Sequence, residues 1–563
     1  MSIELAEHRY IDCHETIAKV AEHGLVVATV DNHRCGVVVQ MVKVADVLAH
    51  EYLKRFSRVV VLFLNCVFRV PWLGWSYTAC IRYVRHARMG RMRIGSTASQ
   101  IAHRSSNKTQ RNDGEKTARM RLTSQTLLPI VSTFLLAISP LAQPAVGESA
   151  CDANETPISD VRSDQWQGFW LGQSIGNWTG LVTEMDKIGG DGEHGRFYTR
   201  EDWGMPDQPA IWSETPSDIS GNIDFVLRGP SEFWGADDDT DIEYIYLWTL
   251  YHQQVAKLTP IQIREAWVRH IYDESQPTPY GKDQFGYQNF LWVSNQSAHT
   301  LMLEGHLPPE TAHPDANPHG DMIDAQLTTE IFGLLSPGAP YVALDIAHYP
   351  IRTAGYGDAV LVSEFYVIMH ALAAMEPRGQ LSPERLNRIA IAARQYLPDD
   401  SVPAAMFDFV KRQHTAGLPW EATRDAIYRR YQVEQRDGYD VTSRGLYCNG
   451  CFASGINFAA SLVSLFYGEG DLKETLKIAV LAGWDADNPA ATWGGLLGYT
   501  LGRQAIEGQF GQSLSDQFNI HRTRRGFPNN GIDSFCNMAR MGIEVSQRVK
   551  VNYHAEYQAK VVK

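Results

Sequence analysis

The sequence reads Gly483-Trp484-Asp485-Ala486-Asp487-Asn488 directly before one helical segment and Asp237-Asp238-Asp239-Thr240-Asp241 directly before another. Asp, Asn and Thr are favoured at helix N-caps, where negative charge also complements the helix dipole, so capping is the simplest interpretation of both stretches. A cap needs only one side chain, however, and adjacent carboxylates repel one another unless they are exposed or a cation neutralises them. Taken together, the two stretches predict a metal site to which both contribute.

The predicted ligands are oxygen atoms, which select hard divalent cations such as magnesium, manganese or calcium. Five aspartates carry about −5 when ionised, and two divalent cations would nearly balance that charge. Two ions roughly 3.5–4 Å apart could bridge the stretches and polarise a shared water or a sugar hydroxyl. The sequence therefore predicts a binuclear centre with these carboxylate ligands: Asp237, Asp238, Asp239, Asp485 and Asp487.

Helical periodicity surrounds both stretches. Apolar or small residues recur at spacings of three and four, for example in Ile242, Ile245, Tyr246 and Leu250. Sustained alternation of period two is not visible, and no repeat of fixed length is found. The sequence therefore predicts an all-α fold.

Two stretches differ from this helical pattern. Residues 186–230 are rich in Gly, Asp, Pro and Ser, which predicts a long inserted loop over the surface. Residues 395–445 combine charges with helical spacing, which predicts an inserted helical hairpin. Long insertions in a compact domain often shape a binding site.

Composition excludes several classes of protein. The net charge of −13 argues against a general nucleic-acid-binding protein, because such proteins are usually basic. Eight cysteines in 563 residues do not make a disulfide scaffold. Cys448 and Cys451 form a CxxC without a second pair at zinc spacing, so we expect a local disulfide or two buried thiols.

The upstream part of the chain has a different composition. Residues 1–119 become basic towards their end, and Met120-Arg121 then precede an apolar run and a small-residue exit, Ala145-Val146-Gly147. This order is typical of a signal peptide over residues 120–150, and the run is too short for a stable membrane span; a buried helix is the alternative. We therefore expect residues 1–119 to be an upstream extension with little structure, rather than a genuine N-terminal domain. The mature catalytic domain would be residues 151–563, exported to the periplasm or secreted.

Four segments, in order, resemble the ADP-ribosylglycohydrolases over roughly residues 164–505. Residues 168–180 resemble the opening glycine-rich helix of the family, and Asp238-Asp239-Thr240 resembles its metal motif. Residues 323–338 with Ala347-His348 resemble the central substrate-loop region, which is the least specific of the four. Residues 455–498 resemble the closing motif, in which Asp-x-Asp precedes a glycine-rich helix.

The resemblance implies an orthogonal α-helical bundle with a binuclear magnesium centre in a cleft. It also implies hydrolysis of the glycosidic bond between ADP-ribose and a side chain or small acceptor. By position, Glu184 matches the catalytic glutamate, and the matching carboxylate ligands are Asp238, Asp239, Asp485 and Asp487. Asp237 and Asn488 stand where the family usually has Ser or Thr, and Asn177 stands where Asp is common. These departures could favour calcium and leave the substrate open.

The candidate site residues have alternative roles. Glu184 is the candidate acid/base, or the group that orients water, rather than a solvated surface carboxylate. His348 could hydrogen-bond a ribose or phosphate, or be structural. Trp484 could stack on a ring of the substrate, or belong to the core. Asp324 and Asn177 are expected to face the substrate in the cleft. Two tryptophans are interpreted as packing residues: Trp178 and Trp292.

The leading hypothesis is a metal-dependent hydrolase of an ADP-ribosyl or related ribofuranosyl bond. We expect a small-molecule or ADP-ribosylated substrate, no nucleic acid and a monomeric protein. One alternative is an exported glycosidase acting on another furanoside or a nucleoside, because residues 313–324 lack a dense basic cluster. A second alternative is a non-catalytic binding protein on the same fold, against which the retained acidic residues argue.

Overall fold

The computed structural model describes residues 26–30, 37–41, 63–69, 76–82, 161–282, 286–440, 448 and 450–561, and of these the side chains between residues 161 and 554. The chain divides into two units, Met1–Leu135 and Leu136–Lys563. In the first unit, β1 (Val26–Val30) pairs antiparallel with β2 (Val37–Met41), and β3 (Phe63–Arg69) with β4 (Ser76–Arg82). The predicted signal peptide at 120–150 lies outside the described residues, and the upstream extension stays a prediction.

The second unit is mostly helical, which confirms the prediction of an all-α fold. Its helices are α1 (Val161–Gly180), α2 (Asp238–His252), α3 (Pro260–His270), α4 (Val293–Glu304), α5 (Ile331–Leu334), α6 (Pro340–Ile351), α7 (Asp358–Ala373), α8 (Pro383–Arg394), α9 (Val402–Thr415), α10 (Trp420–Ile427), α11 (Ser454–Tyr467), α12 (Leu472–Ala482), α13 (Asp487–Leu501), α14 (Arg503–Phe510) and α15 (Phe535–Val561).

A small sheet of three short strands accompanies the helices. Strand β5 (Trp234–Gly235) runs parallel to β6 (Gln517–Asn519), which pairs antiparallel with β7 (Ile532–Ser534). Because β5 directly precedes the first acidic stretch, this sheet attaches the C-terminal part of the chain beside the N-terminus of α2. Among the described residues, no helix combines the length and hydrophobicity that crossing a bilayer requires.

Helix α1 packs against α13 through four glycines spaced four residues apart. Residues at this spacing lie on one face of a helix. A Cβ atom on any of the four would lie closer than 3.0 Å to the backbone of α13, so the two helix backbones touch. The glycines are Gly168, Gly172, Gly176 and Gly180. Since the last of them lies against Asp487, the C-terminal end of α1 meets the N-terminal end of α13.

The two predicted insertions differ in structure. Residues 186–230 contain one short 3₁₀ turn, Arg200–Asp202, and otherwise follow an irregular path whose inner side chains, such as Ile223, are buried. Residues 395–440 contain α9 and α10, both of which pack against α11. Both insertions reach the second acidic stretch at Trp484, the first through the backbone of Lys187 and the second through the side chain of Gln432.

Candidate metal centre

The loop after α1 is joined to the second acidic stretch by backbone hydrogen bonds. Met185 N–H donates to the carbonyl of Trp484 at 2.8 Å, and Trp484 N–H donates to the carbonyl of Lys187 at 2.7 Å. Both Met185 and Trp484 have left-handed backbone conformations, with φ of 57° and 58°. Such conformations are uncommon for non-glycine residues and concentrate at functional sites. This pairing holds Glu184 beside Asp485.

The carboxylates lie at two helix N-termini. Asp237 precedes α2, Asp238 and Asp239 occupy its first turn, and Asp487 begins α13. The positive end of each helix dipole lowers the energetic cost of placing carboxylates there. The cap of α2 uses Thr240, whose side-chain oxygen accepts the Asp237 N–H at 3.0 Å. The side chain of Asp237 is therefore available for other contacts.

Two groups of three carboxylates converge, and Asp487 belongs to both. Oxygen atoms of Glu184, Asp485 and Asp487 lie within 4.8 Å of one another, and so do oxygen atoms of Asp237, Asp238 and Asp487. The tertiary structure thus brings together two acidic stretches about 250 residues apart. Each group could hold one cation, and Asp487 could bridge the two.

Burial makes these carboxylates costly to ionise without a cation. Desolvation, followed by repulsion from neighbouring carboxylates, raises the pKa of Glu184, Asp238 and Asp487 well above the usual range. Burial likewise raises the pKa of Asp485 to about 6. In addition, Oδ1 of Asp487 is buried without a hydrogen-bond partner. Oxygen donors of this kind fit hard divalent cations, so these clustered residues could bind a metal.

Asp239 lies beside the two groups and is held by carboxamides. Asn177 Nδ2 donates to Asp239 Oδ2 at 3.0 Å, and Asn488 Nδ2 donates to Asp239 Oδ1 at 3.2 Å. Gln326 Nε2 in turn donates to Asn488 Oδ1 at 3.1 Å. Because both oxygens of Asp239 accept hydrogen bonds, Asn177 and Asn488 orient this carboxylate.

Arg522 compensates the extra carboxylate of Asp237. Its Nη1 donates to Asp237 Oδ1 and to the carbonyl of Ala236, both at 2.8 Å. The guanidinium also lies over the ring of Trp178, 5.2 Å from its centroid. A guanidinium fixed by three contacts loses little freedom when it pairs with a carboxylate. No sequence pattern indicated Arg522, which is 285 residues from its partner.

The carboxylates line one side of a cleft. Asp324 also lies there, accepting the Asn295 N–H at 2.9 Å, and burial raises its pKa to about 6. Aromatic and aliphatic side chains complete the wall. Together the lining residues are Glu184, Trp212, Asp238, Asp239, Trp292, Val293, Ile323, Asp324, Leu327, Phe452, Asp485 and Asp487.

The structure does not bring every predicted residue to this cleft. His348 lies on α6, where burial and the neighbouring Arg352 and Lys257 lower its pKa, and it is absent from the cleft wall as far as the described residues show. Trp484 is fully buried; its indole N–H donates to Gln432 Oε1 at 2.7 Å, so the packing alternative describes it.

The interpretation of two other tryptophans is corrected in part. Trp178 is buried and its indole N–H donates to the carbonyl of Gly235 at 2.9 Å, as expected of a packing residue. Trp292, in contrast, is half exposed and lines the cleft. Trp212 and Phe452 also line it and were not singled out from the sequence. The position of Trp212 within the loop 186–230 was the one available signal, because long insertions often shape binding sites.

Two buried glutamates, Glu243 and Glu330, lie near the carboxylate groups and are linked to them through Gln173. Gln173 Nε2 donates to Glu243 Oε2 at 2.8 Å and to the carbonyl of Asp239 at 3.4 Å. Glu330, which accepts the Thr492 hydroxyl at 2.6 Å, interacts with Glu243. Burial raises the pKa of Glu330 to about 7, so the pair holds a proton near neutral pH.

This pair predicts a loss of stability at high pH. Because the pKa of Glu330 in the folded state exceeds its ordinary 4.5, its stabilising contribution is complete below pH 4.5 and is lost as the pH rises through about 7. We expect the unfolding free energy of Glu330→Gln to fall by roughly 1 kcal/mol less than that of the parent between pH 6 and pH 8.5. Urea unfolding at both pH values measures the difference. Glu265→Gln, at an exposed position on α3, is the control, and parallel profiles of parent and Glu330→Gln would contradict the prediction.

The fold and the site together define the class of this protein. It is an all-α protein with a candidate metal site, in which the N-termini of two helices bring carboxylates together in one cleft. The ADP-ribosylglycohydrolase family model matches residues 159–535, and the chain belongs to that family, which confirms the resemblance. Among solved structures, one chain of an ADP-ribosylglycohydrolase-related protein complex matches with 16% identity and a TM-score of 0.37, covering 69% of this chain and 99% of that chain. No curated protein matches the sequence. The family membership supports a glycohydrolase-type function.

Proposed function

We propose that this protein hydrolyses an ADP-ribosyl or related ribofuranosyl bond at a binuclear divalent-metal centre. The observation that carries the proposal is the position of Asp487 in two groups of converging carboxylates. Family membership supplies the reaction class, hydrolysis of a glycosidic bond. A non-catalytic protein would have no need to keep so many buried carboxylates with raised pKa values close together.

In this proposal the chain binds two cations, magnesium in the first instance, with manganese and calcium as alternatives. One would lie among Glu184, Asp485 and Asp487, and the other among Asp237, Asp238 and Asp487. When bound, the cations would polarise the vicinal hydroxyls of the sugar and an attacking water. Arg522 compensates the charge of Asp237. The other carboxylates, Asp238, Asp239, Asp485, Asp487 and Glu184, carry about −5 when ionised and nearly balance the +4 of two divalent cations.

The side chains of the cleft would then act on the sugar. Glu184, at the edge of the carboxylate cluster, would orient the water and transfer its proton. The neighbouring carboxylates would stabilise the oxocarbenium-like transition state through which furanosides hydrolyse. Asn177 and Asn488 would keep Asp239 in place, and Asp324, which also lines the cleft, would contact the substrate.

A substrate screen with the purified full chain tests the proposal. ADP-ribosyl-arginine, ADP-ribosyl-serine and aryl ribofuranosides would be incubated with EDTA, or with added magnesium, manganese or calcium. We expect turnover of at least one substrate class with a divalent cation, and its loss with EDTA. Turnover that EDTA does not affect, or no turnover with any of the three cations, would contradict the proposal.

The variant Glu184→Gln tests the proposed catalytic role of Glu184, because its effects on kcat and on metal affinity can be measured separately. We expect Glu184→Gln to lower kcat about 10²- to 10⁴-fold, because an amide cannot exchange a proton with water or the leaving group. By calorimetry, the affinity of the cation among Asp237, Asp238 and Asp487 should change by less than about tenfold, since that group is intact. The cation among Glu184, Asp485 and Asp487 should bind more weakly, because one of its anionic ligands becomes an amide. Glu265→Gln is again the control. A variant with unchanged kcat would remove Glu184 from the proposed mechanism.

We also propose that the protein is exported. Cys448 and Cys451 form a disulfide, and disulfides persist mainly in oxidising compartments. This observation agrees with the signal peptide predicted at 120–150. Fractionation of cells that express the full gene tests the proposal, and recovery of the protein only from the cytosol would contradict it.

A further inference from the structure

Three aromatic rings line the same cleft as the carboxylates and lie next to one another in its wall. Trp212 and Trp292 lie with their ring centroids 6.3 Å apart and their planes 16° from parallel. Trp212 and Phe452 are similar, with centroids 6.2 Å apart and planes 10° from parallel. Trp212 is 51% exposed and Trp292 is 45% exposed, so a large part of both rings is open to solvent. We call Trp212, Trp292 and Phe452 the aromatic wall.

The aromatic wall is built from three distant segments, and each is attached to the site. Beside Trp212, the Ile211 N–H donates to the carbonyl of Met185, the residue after Glu184, at 3.2 Å. The carbonyl of Phe452 accepts the Ile323 N–H at 3.0 Å. Trp292 precedes α4, and its carbonyl accepts the first intrahelical hydrogen bond. The rings are therefore held next to the loop that carries the candidate catalytic glutamate.

The charge of the cleft limits what these rings could bind. Its described lining contains six carboxylates, three aromatic side chains and three aliphatic side chains, and none of these twelve residues is Lys, Arg or His. A diphosphate bound against this wall would add negative charge, and none of the described lining residues is a cation that could pair with it. An uncharged ring, in contrast, would cover exposed indole surface and meet no like charge.

We propose that the aromatic wall is a leaving-group subsite that stacks an uncharged ring attached to the anomeric carbon of the substrate. This inference rests on the proposed function and specifies its substrate class: furanosides whose leaving group is a flat ring, either aryl or a heterocyclic base. In the reaction, the bond between the anomeric carbon and the ring's O or N atom breaks, and the oxygen of water bonds to that carbon. One proton of water is transferred through Glu184 to the departing atom.

The test compares leaving groups on the same sugar. The full chain with magnesium would be assayed with 4-nitrophenyl ribofuranosides of both anomers, inosine, methyl ribofuranosides and ADP-ribosyl-arginine. We expect kcat/KM to be at least about tenfold higher for the 4-nitrophenyl compound or inosine than for the other two. 4-Nitrophenol is also a better leaving group than methanol, so the contribution of stacking, worth ~1–3 kcal/mol for one base-sized contact, is measured by the Trp212 variants below. Whether the 4-nitrophenyl compound or inosine is preferred would show whether the subsite binds an aryl ring or a heterocyclic base.

Variants of Trp212 test whether the preference for ring leaving groups comes from the aromatic wall. We expect Trp212→Ala to raise KM for the preferred ring substrate about tenfold and to lower kcat/KM for methyl ribofuranosides by a much smaller factor. Trp212→Phe, which keeps a ring, should restore most of the loss. Tyr341→Ala is the matched control, because Tyr341 is a 78% exposed aromatic residue on α6 outside the cleft wall. Inhibition by free 4-nitrophenol should weaken in Trp212→Ala to a similar extent.

The outcomes separate the inference from the function on which it rests. If no substrate shows metal-dependent turnover, the proposed function fails. If ADP-ribosyl-arginine is hydrolysed as well as the ring substrates, or if Trp212→Ala lowers kcat/KM equally for all of them, the proposed function stands and the leaving-group subsite is wrong.

Discussion

Replacing Asp487 with Asn is expected to lower metal-dependent turnover by at least ~10³-fold, equivalent to about 4 kcal/mol of transition-state stabilisation. Asp487 is the carboxylate that belongs to both groups in the centre, so the single change removes an anionic oxygen from each. We therefore expect calorimetry to show no tight binding of magnesium or manganese. Asp315→Asn is the matched control, because the side chain of Asp315 is 94% exposed.

The same variant should be more stable than the parent when metal is absent. Burial and the charges of Glu184, Asp239 and Asp485 raise the pKa of Asp487, so its ionised form is unfavourable in the folded protein. Asn removes that charge. In EDTA at pH 8 we expect a higher Tm for Asp487→Asn than for the parent, and added magnesium should raise the Tm of the parent alone. A Tm gain from magnesium that is equal in both proteins would place the metal elsewhere.

The second large effect is expected from Gly176→Ala, which should destabilise the protein by at least about 3 kcal/mol. A Cβ on Gly176 would meet the backbone carbonyl of Ala490 on α13, and a carbonyl within a helix cannot move aside as a flexible side chain can. The helices would have to separate, which would also shift Asn177 and Asp487. Urea unfolding and magnesium titration measure the two consequences.

Gly508→Ala is the matched control for this helix glycine. Gly508 lies on α14, and a Cβ there would have no atom within 4 Å. Because Ala is the better helix former, we expect Gly508→Ala to be neutral or to stabilise the protein by up to about 1 kcal/mol. If Gly176→Ala were as stable as Gly508→Ala, the close contact between α1 and α13 would be wrong.

Several features of the site could be predicted from local sequence because their physical cause is local. Adjacent carboxylates at Asp238 and Asp239 repel one another wherever the chain places them, and this repulsion indicated a cation before any fold was known. The same reasoning applied to Asp485 and Asp487. Helical periodicity predicted the all-α fold, since an amphipathic helix must bury the same face in any tertiary arrangement.

Other features could not be predicted, because they depend on which segments meet. The residues that flank Trp484 and Trp292 in the sequence do not distinguish the two tryptophans. In the structure, however, Trp484 is buried and Trp292 lies in the cleft. Arg522 contacts Asp237 because β5, which precedes Asp237, pairs with β6, which precedes Arg522. Asn177 differs from the family's usual residue, and only the structure shows that its amide orients Asp239.

By itself, the sequence determined the helical character of the domain, its family and the two acidic stretches, because periodicity, charge repulsion and motif order are properties of neighbouring residues. The tertiary structure decided that Asp487 belongs to both carboxylate groups, that Arg522 neutralises Asp237 and that three aromatic rings line the same cleft as the carboxylates. These relations join residues up to about 300 positions apart. They arise from the close packing of α1 on α13 and from the path of the irregular loop 186–230, neither of which local propensity specifies.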